Sequence, residues 1–390
     1  IAFAVALSAT MGIAFAGNLF TLFIFYEVLT LSTYPLVAHH GDSKARTGGR
    51  IYLITLLGTS VLFFIPAILW TFSLAGTLDF RPGGILSGKA DSITTGFLLA
   101  LFAFGIGKAA LMPFHRWLPS AMVAPTPVSA LLHAVAVVKA GAFTILKVSI
   151  YIFGSEHLLS TGASEWLVYL ATFSVLAASI IALTKDNLKA RLAYSTISQL
   201  GYIVLGAAIA TPLALVGAGM HILMHAFGKI TLFFVAGAIH TATHKTKVSQ
   251  LNGIGRAMPF TMGAFFIGAL SIIGLPPLGG AWSKMYIALG GMDGGYWFVL
   301  AALMISSLLN IAYLMPIVIR AFFRPVDKEN NSTELAEINN EFNHTLRNRL
   351  AEAPWFCVIP LCFTAVACFI LFFAPDAVEQ LLNGMLERPL

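Results

Sequence analysis

Five lysines and one glutamate lie inside long apolar stretches of this sequence, where charged side chains are rare. They are Glu27, Lys108, Lys139, Lys147, Lys229 and Lys284. A lysine at the centre of a bilayer costs roughly 2.5–3.5 kcal/mol on insertion scales, so several in one chain indicate a shared function. Amines and a carboxylate that exchange protons would supply that function. For Lys147, near the end of its apolar stretch, a side chain that extends to the membrane surface is an equally good interpretation.

Two of these lysines lie beside predicted breaks in membrane helices. Lys108 precedes Pro113 by five residues, and Lys284 follows the interruption Gly274-Leu-Pro-Pro-Leu-Gly-Gly280. A proline inside a helix frees backbone groups, which must find partners within the protein when they lie in a membrane. Charged side chains at such breaks are typical of ion pathways. We therefore expect two broken helices, with Lys284 nearer the outer face of the membrane.

Glu27 is the natural counter-ion for one of these lysines. A carboxylate close to an ammonium favours the charged form of both groups, and separating them reverses this preference. Such a pair can act as a switch that releases a proton when it opens and recaptures one when it closes. The expected order of sites is Glu27 with Lys108, then a centre of histidine and lysine, then Lys284.

The histidines of that centre lie in His221-Ile-Leu-Met-His225-Ala-Phe-Gly-Lys229. Spacing of four residues places all three polar side chains on one helical face. Imidazole exchanges protons near neutral pH, so the pattern predicts a proton relay. Packing of the histidines against neighbouring helices is the alternative. A metal site is not expected, because Ile222 replaces the glutamate of the H-E-x-x-H motif and a third ligand is not evident.

Other polar residues are placed to line the same interior. His133 lies six residues before Lys139 in one apolar stretch. Another stretch begins with four polar residues on adjacent turns, Tyr194, Ser195, Ser198 and Gln199. We expect these four to form hydrogen bonds with a neighbouring helix, and the alternative is that they hold ordered water along the path.

The composition identifies a membrane protein. The 390 residues are 58% hydrophobic and only 10% charged, whereas ordinary soluble domains carry about 25% charged residues. Cys357, Cys362 and Cys368 all fall in the last apolar stretch and do not form a cluster suited to iron–sulfur ligation. A Rossmann fingerprint is also missing. We therefore expect an ion transporter subunit rather than an enzyme, with no cofactor and no metal.

The fold class expected from these stretches is an all-α polytopic membrane protein. A membrane-spanning helix needs about 20 apolar residues. By this criterion the sequence contains eleven spans, with a first that is short. Their predicted ranges are 1–16, 18–38, 50–75, 93–113, 126–153, 165–184, 190–210, 212–241, 257–290, 295–322 and 354–374.

The charges between these spans are strongly asymmetric. Alternating sides places fifteen basic residues on one side, and only Arg81, Lys89 and Arg388 on the other. The fifteen are Lys44, Arg46, Arg50, Arg116, Lys185, Lys189, Arg191, Lys245, Lys247, Arg256, Arg320, Arg324, Lys328, Arg347 and Arg349. By the positive-inside rule the basic loops face the cytoplasm, in an inner (cytoplasmic) membrane. The net charge of +6 is then explained by the basic residues of the cytoplasmic loops, and a nucleic-acid partner is not expected.

The positions of the lysines indicate internal repetition. Spans four and nine carry a lysine beside a break, and spans five and eight carry histidine with lysine. Copies five spans apart enter the membrane from opposite faces, which predicts inverted repeats. We expect a first, N-terminally truncated repeat at 1–153, a second at 165–323, a cytoplasmic loop at 324–353, and a transmembrane helix with its tail at 354–390. Because the sequence opens at Ile1 inside an apolar stretch, we expect it to begin partway through a longer protein.

Four segments, in this order, carry a family resemblance: GKAALMPFHRWLPSAMVAPTPVSALLHAVAVVKAG, KDNLKARLAYSTISQLGY, MHILMHAFGKITLFFVAGAI and GLPPLGGAWSK. They resemble the antiporter-like proton-conducting subunits shared by respiratory complex I and the Mrp-type multisubunit cation/proton antiporters. The resemblance implies fourteen helices, with two inverted five-helix repeats and two broken helices, of which this sequence would hold the last eleven. It implies a proton pathway of eight residues, Glu27, Lys108, His133, Lys139, His221, His225, Lys229 and Lys284.

Two segments, FYEVLTLSTYPLVAHH and GLPPLGGAWSK, are most similar to the D-type subunit of the Mrp antiporters. The function expected from the resemblance is a proton-translocating subunit of an Na⁺ or K⁺:H⁺ antiporter, partnered by other membrane subunits. A proton-pumping subunit of an NADH:quinone oxidoreductase is the alternative. Rivals from other classes are a stand-alone solute transporter, a scaffold with an inert channel, and an intramembrane metalloenzyme.

Overall fold

The computed structural model describes residues 1–325 and 351–387, and all regular structure in this part of the chain is helical. Within these two ranges, seven helices are long and apolar enough to cross a membrane: Leu19–Val37, Ser43–Ala75, Thr126–Phe153, Glu165–Thr184, Leu188–Ile209, Pro212–Thr243 and Trp297–Phe323. Three shorter apolar helices and a pair bent by 79° near the C-terminus accompany them. The protein is therefore an all-helical, multi-pass membrane protein. The number of eleven spans stays a prediction.

The helices are numbered here in chain order. The first nine are α1 (Ala2–Phe15), α2 (Leu19–Val37), α3 (Ser43–Thr59), α4 (Ile65–Ala75), α5 (Ser92–Gly105), α6 (Trp117–Ser120), α7 (Thr126–Ala130), α8 (Val137–Val148) and α9 (Ser155–Thr161). The rest are α10 (Glu165–Thr184), α11 (Leu188–Ile209), α12 (Pro212–Thr243), α13 (Ile254–Ala257), α14 (Pro259–Ile273), α15 (Gly280–Asp293), α16 (Trp297–Phe323), α17 (Trp355–Ile370) and α18 (Pro375–Glu387). Single π-helical turns join α3 to α4 and α7 to α8.

Several helices begin at an asparagine or aspartate that caps the first turn. The side chain of Asn18 accepts a hydrogen bond from the Thr21 amide at 2.7 Å, at the start of α2. Asp42 caps α3 and Asn187 caps α11 in the same way. Each cap satisfies a backbone N–H that has no partner within its helix. These polar residues separate the apolar stretches and fix where the helices begin.

The first predicted break lies at Lys108, as the sequence indicated, but it begins earlier than Pro113. Helix α5 ends at Gly105, and Lys108 lies in a single 3₁₀ turn, Gly107–Ala109. The indole nitrogen of Trp117 donates to the Gly107 carbonyl at 3.0 Å. One of the backbone groups freed by the break is thereby satisfied within the protein. Only the first part of the predicted span 93–113 is a regular helix.

The second break separates α14 from α15. Helix α14 ends at Ile273, and the φ of +86° at the next residue, Gly274, is a left-handed conformation that glycine adopts without strain. Helix α15 begins at Gly280. The amine of Lys284 reaches back across the gap and donates to the Ile273 carbonyl at 2.9 Å. A cation at a helix C-terminus is favourable, so the break itself supplies a binding site for this lysine.

Two helical segments form the centre of the molecule. In Leu188–Ile209, 94% of the residues in the 18-residue apolar stretch are buried within the protein. In the corresponding stretch of Thr126–Phe153, 89% are buried. In Leu19–Val37 it is only 33%, so most residues of that stretch of α2 are at least partly accessible. Because the central segments are enclosed all round, polar side chains on any of their faces point at other helices rather than at lipid.

The C-terminal part contains a helix for which the sequence gives no prediction. The tail after the last predicted span forms the amphipathic helix α18, which packs against α12. Most of the predicted cytoplasmic loop at 324–353 lies outside the described residues. The predicted repeat and domain boundaries stay predictions.

Candidate functional site

Seven of the eight predicted pathway residues are buried, and they lie on four different segments of the fold. Lys108 is on the first break, His133 and Lys139 are on the segment Thr126–Phe153, and Lys284 is on α15. His221, His225 and Lys229 share α12. Lys108, His133 and Lys229 are each 0% exposed. A buried ammonium or imidazolium requires hydrogen-bond partners, so the partners of each group define what the site can do.

Lys108 is held by one turn of α2. Its amine donates to the Tyr26 carbonyl at 2.8 Å and to the Thr30 hydroxyl at 2.6 Å. The same amine lies 3.1 Å from the centroid of the Tyr26 ring, in a cation–π arrangement. The Tyr26 hydroxyl in turn accepts from the backbone N–H of Lys108 at 3.1 Å. Tyr26 therefore binds both the backbone and the side chain of the lysine and fixes its position.

Glu27 lies on the same turn of α2, between Tyr26 and Thr30. Both of its carboxylate oxygens are enclosed, and neither has a hydrogen-bond partner among the described residues. The amine of Lys108 is bound instead by these two residues on either side of Glu27. The structure thus brings the predicted pair to one turn of α2 without joining the two charges.

Lys139 contacts a histidine on another helix. Its amine meets Nδ1 of His225, so that α8 and α12 are connected by an amine–imidazole hydrogen bond. Lys139 also lines a cavity of about 420 Å³ whose walls are otherwise mostly apolar. An amine and an imidazole in contact can share and exchange one proton without any cofactor.

His221 extends this connection toward the second break. Its Nδ1 lies 2.8 Å from the hydroxyl of Ser283, the residue before Lys284. The rings of His221 and His225 are nearly parallel, at 16°, with centroids 5.8 Å apart. The Nε2 atoms of both rings lack a partner in the described part of the chain. The two histidines therefore face the same interior, as their spacing predicted, but each binds a different neighbour.

Lys229 and Lys284 are bound mainly by hydroxyls and carbonyls. The amine of Lys229 donates to Ser195 Oγ at 2.6 Å and to the Leu192 carbonyl at 3.3 Å, both on α11. Lys284 donates to the Ile273 carbonyl and also to Ser307 Oγ at 3.2 Å. Neither lysine is paired with a carboxylate in these contacts, so each can exist with or without its proton without leaving an anion unpaired.

His133 is less well connected than the sequence suggested. Its ring packs on Phe233, with centroids 4.8 Å apart, and both ring nitrogens are without a partner among the residues described. It belongs to the π-helical turn Leu131–Val135, just before α8. The structure therefore does not bring His133 into hydrogen-bond contact with Lys139 or Lys229.

Lys147 binds backbone carbonyls of a neighbouring helix, a role that the sequence did not predict. Its amine donates to the Ala16 carbonyl at 2.8 Å and to the Ala14 carbonyl at 3.4 Å, at the C-terminal end of α1. It also lies 4.4 Å from the centroid of Phe80. A cation here satisfies carbonyls that have no partner within the helix. This lysine is 4% exposed, so its amine is enclosed by these carbonyls and by Phe80.

Several residues that bind the pathway lysines and His221 were not singled out from the sequence, notably Tyr26 and Thr30 at Lys108 and Ser283 at His221. They are ordinary members of helices, and only the neighbouring helix shows what they bind. Ser195 and Ser198 were expected to bond to other helices, and they do so, through Lys229 and through Ser179 Oγ at 2.8 Å.

Comparison with known proteins shows which family this chain belongs to. Residues 16–310 match the family described as NADH:quinone oxidoreductase/Mrp antiporter, transmembrane. The chain belongs to this family. The matched range contains all eight pathway residues and ends within α16. Helices α17 and α18 lie beyond it.

Relatives of this chain include subunits of different protein assemblies. The N-type subunit of an NADH-quinone oxidoreductase from Desulforudis audaxviator is 36% identical over 83% of this chain and 64% of its own length. The D-type subunit of an Na⁺/H⁺ antiporter from Bacillus subtilis is 27% identical over 97% of this chain and 74% of its own length. The chain thus spans slightly less than two thirds of the first of these relatives.

A solved structure shares the fold. The Mrp complex from Dietzia sp. contains a chain that superposes on all of this one with a TM-score of 0.82. This chain covers 78% of that chain, at 22% sequence identity. At this identity the similarity concerns the fold alone.

Proposed function

We propose that this chain is a proton-translocating subunit of a multisubunit Na⁺ or K⁺:H⁺ antiporter of Mrp type. The observation that carries the proposal is the contact between Lys139 and His225, which joins two helices in the buried centre. Proton transfer there turns an ammonium and an imidazole into an amine and an imidazolium. Only N–H bonds form and break, so the protein's own side chains suffice for the step.

The pathway begins at Glu27 and Lys108. In the present arrangement the lysine is bound to α2 backbone and hydroxyl oxygens, and the carboxylate is unpaired. Movement of the amine onto the carboxylate would stabilise the charged lysine, and its return would favour release of a proton. This pair acts as the switch that loads the centre.

The centre distributes the proton along α12. From His225, helical spacing offers Lys229 one turn ahead and His221 one turn behind. His221 is bonded to Ser283, next to Lys284, so this direction leads to the second break. Ordered water would bridge the remaining gaps, since water-mediated hydrogen bonds are nearly as favourable as direct ones. His133, whose ring nitrogens have no hydrogen-bond partner among the residues described, would take part only through such water.

The two halves of the pathway correspond to the two proposed inverted repeats, 1–153 and 165–323. Each contains one break with one lysine, at Lys108 and at Lys284. In this proposal the basic loops face the cytoplasm of a bacterial cell, and other membrane subunits of the complex flank the chain. The proposal also includes a cytoplasmic loop at 324–353 and a C-terminal transmembrane helix with its tail at 354–390.

The Mrp-type assignment rests on the similarity to the D-type antiporter subunit of Bacillus subtilis, which extends over 97% of this chain. The second candidate is a proton-pumping subunit of an NADH:quinone oxidoreductase. The higher identity to the N-type subunit from Desulforudis audaxviator, 36%, favours it. Both candidates use the same side chains in the membrane and differ in what drives the protons.

The test uses the full-length protein expressed with its neighbouring subunits, in inverted membrane vesicles. A pH-sensitive dye reports proton movement after addition of Na⁺ or K⁺, and then of NADH. Lys139→Met removes the amine that contacts His225. Arg81→Ala, at an exposed position, is the control. A cation-triggered signal that is lost only in Lys139→Met supports the antiporter. A signal that requires NADH and ignores the cation supports the second candidate. Wild-type behaviour of Lys139→Met in both assays contradicts the proposal.

A further inference from the structure

Lys229 and Lys284 are connected by an unbroken series of side-chain hydrogen bonds that does not pass through the histidines. The first part is centred on Ser195 of α11. Its hydroxyl oxygen lies 2.6 Å from the amine of Lys229, and the Tyr313 hydroxyl of α16 donates to it at 2.7 Å. Ser195 and Tyr313 are both fully buried, so bulk water does not compete for these bonds.

Asn310 completes the series. Its amide is assigned with the oxygen toward Lys284 and Gln199, because only this orientation matches every donor with an acceptor. The oxygen then accepts from Lys284 Nζ and Gln199 Nε2, both at 3.2 Å, and the nitrogen donates to the Tyr313 hydroxyl at 2.6 Å. The nitrogen also donates to the Ser306 carbonyl at 3.2 Å. The bridge therefore runs from Lys229 through Ser195, Tyr313 and Asn310 to Lys284.

The histidine route is not continuous in the same sense. His225 contacts Lys139, and His221 contacts Ser283 rather than Lys284. In the described residues the Nε2 atoms of both histidines have no partner. Proton transfer along this route needs water in the gaps, whereas the bridge through Tyr313 is already closed by side chains.

The chemistry of the bridge suits communication rather than proton transfer. A hydroxyl donates one hydrogen bond and also accepts, so Ser195 can accept from a charged Lys229 and donate to a neutral one. The amide of Asn310 has separate donor and acceptor atoms, and it holds its protons at neutral pH. A proton therefore does not pass from Tyr313 to Lys284 across this amide. A change in the hydroxyl orientations at one end nevertheless alters the bonds at the other.

We propose that Tyr313 and Asn310 are positioning residues that couple the charge state of Lys229 to the placement of Lys284. The amide at Asn310 keeps this link from conducting, so protons follow the water-bridged histidine route. The inference rests on the proposed function, because it assigns the coupling between two lysines of the same pathway. Tyr313 and Asn310 touch the lysines or their partners but take no proton themselves.

The test cuts the bridge at two points in the full complex. Tyr313→Phe removes one hydroxyl, and Asn310→Leu replaces the amide with an apolar group of similar size. Each variant is expected to lower the maximal transport rate about tenfold, the equivalent of one hydrogen bond, and to displace the pH optimum. The cation concentration at half-maximal rate stays as in the wild type. The double variant should be no slower than either single variant, because both cuts break one connection.

The matched control is Tyr52→Phe. It removes a buried tyrosine hydroxyl that lies 2.5 Å from Thr33 Oγ1, far from the bridge in sequence and on a different helix pair. Assembly of each variant is checked by co-purification with the other subunits. If Tyr313→Phe does not assemble, Asn310→Leu alone is compared with the control, and a wild-type rate and pH optimum there overturn the proposal.

The outcomes distinguish failure of the proposed coupling from failure of the proposed function. If the Tyr313→Phe variant has the same rate and pH optimum as the Tyr52→Phe variant, the coupling is overturned. A double variant about a hundredfold slower than wild type also overturns it, since independent effects multiply. A wild-type rate in Lys229→Ala overturns the proposed function itself. Loss of transport in Lys229→Ala with normal transport in Tyr313→Phe removes only the bridge.

Discussion

Glu27 and Lys108 meet at one turn of helix α2 without forming an ion pair. The lysine amine is bound by the Tyr26 carbonyl and the Thr30 hydroxyl, and the glutamate oxygens are enclosed without a partner among the described residues. An enclosed, unpaired carboxylate is costly for a folded protein. The arrangement therefore corresponds to the open form of the proposed switch. In this form the free-energy cost comes from the enclosed carboxylate of Glu27, which has no partner among the described residues.

Replacing this carboxylate should separate stability from transport. In Glu27→Gln the amide keeps the shape and removes the charge, so we expect thermal stability in detergent to be unchanged or higher. Transport is expected to fall about a hundredfold or more, the contribution typical of one general acid or base. The measurement pairs a thermal denaturation curve with the vesicle assay. Glu156→Gln, at an exposed position on α9, is the control. Full transport in Glu27→Gln would contradict the switch.

The packing around the first break predicts a sensitive glycine. A Cβ on Gly141 of α8 would contact the backbone of Lys108 and Ala109. We expect Gly141→Ala to lower the free energy of unfolding by about 1–3 kcal/mol, as overpacking usually does, and to slow transport. Gly58→Ala is the matched control, because nothing lies within 4 Å of its Cβ. That change should be neutral or stabilising by up to about 1 kcal/mol. Equal effects of the two changes on denaturation would argue against this packing.

Lys147 and Lys139 should respond differently to the same substitution. Lys147 binds carbonyls at the end of α1, whereas Lys139 contacts His225. Lys147→Met is expected to cost about 1–3 kcal/mol of stability, since it leaves carbonyls without a donor, yet protein that assembles should transport. Lys139→Met should assemble and not transport. Transport rates normalised to the amount of assembled complex make this comparison. A reversed pattern would show that the pathway runs past α1.

Removal of metal should have no effect on transport. Nδ1 of His225 is occupied by Lys139, and Nδ1 of His221 by Ser283. Their rings are stacked rather than convergent, and the described residues contain no group of three or more His, Cys, Asp or Glu that could hold a metal. Dialysis against 1,10-phenanthroline should therefore leave both rate and stability as they were. Transport lost with the chelator and restored by zinc would bring the metal hypothesis back.

The sequence predicted best what is decided within one helix. Lys108 and Lys284 were predicted to lie at helix breaks, because each is a charged residue in an apolar stretch close to a proline or glycine. Both do lie at helix breaks. The spacing of His221, His225 and Lys229 predicted a common interior for the same reason. The early end of α5 at Gly105 was not predicted, since the helix ends well before the proline that signalled the break.

The partners of these residues could not be predicted, because they come from other helices. Tyr313 and Asn310 look like ordinary polar residues of a membrane helix, and only the packing of neighbouring helices gives them their partners. His133 shows the converse. Its spacing from Lys139 suggested a shared role, but His133 lies in a π-helical turn and its ring packs on Phe233.

Helix α11 is almost completely enclosed, and this bears on how the protein tolerates change. A helix with a lipid-facing side can exchange one apolar residue for another on that side at little cost. In the apolar stretch of α11, 94% of the residues are buried, so this helix has almost no such side. In the corresponding stretch of α2 only 33% of the residues are buried. In a library of random substitutions, accepted changes should therefore be spread along one face of α2 and be scarce around the whole circumference of α11.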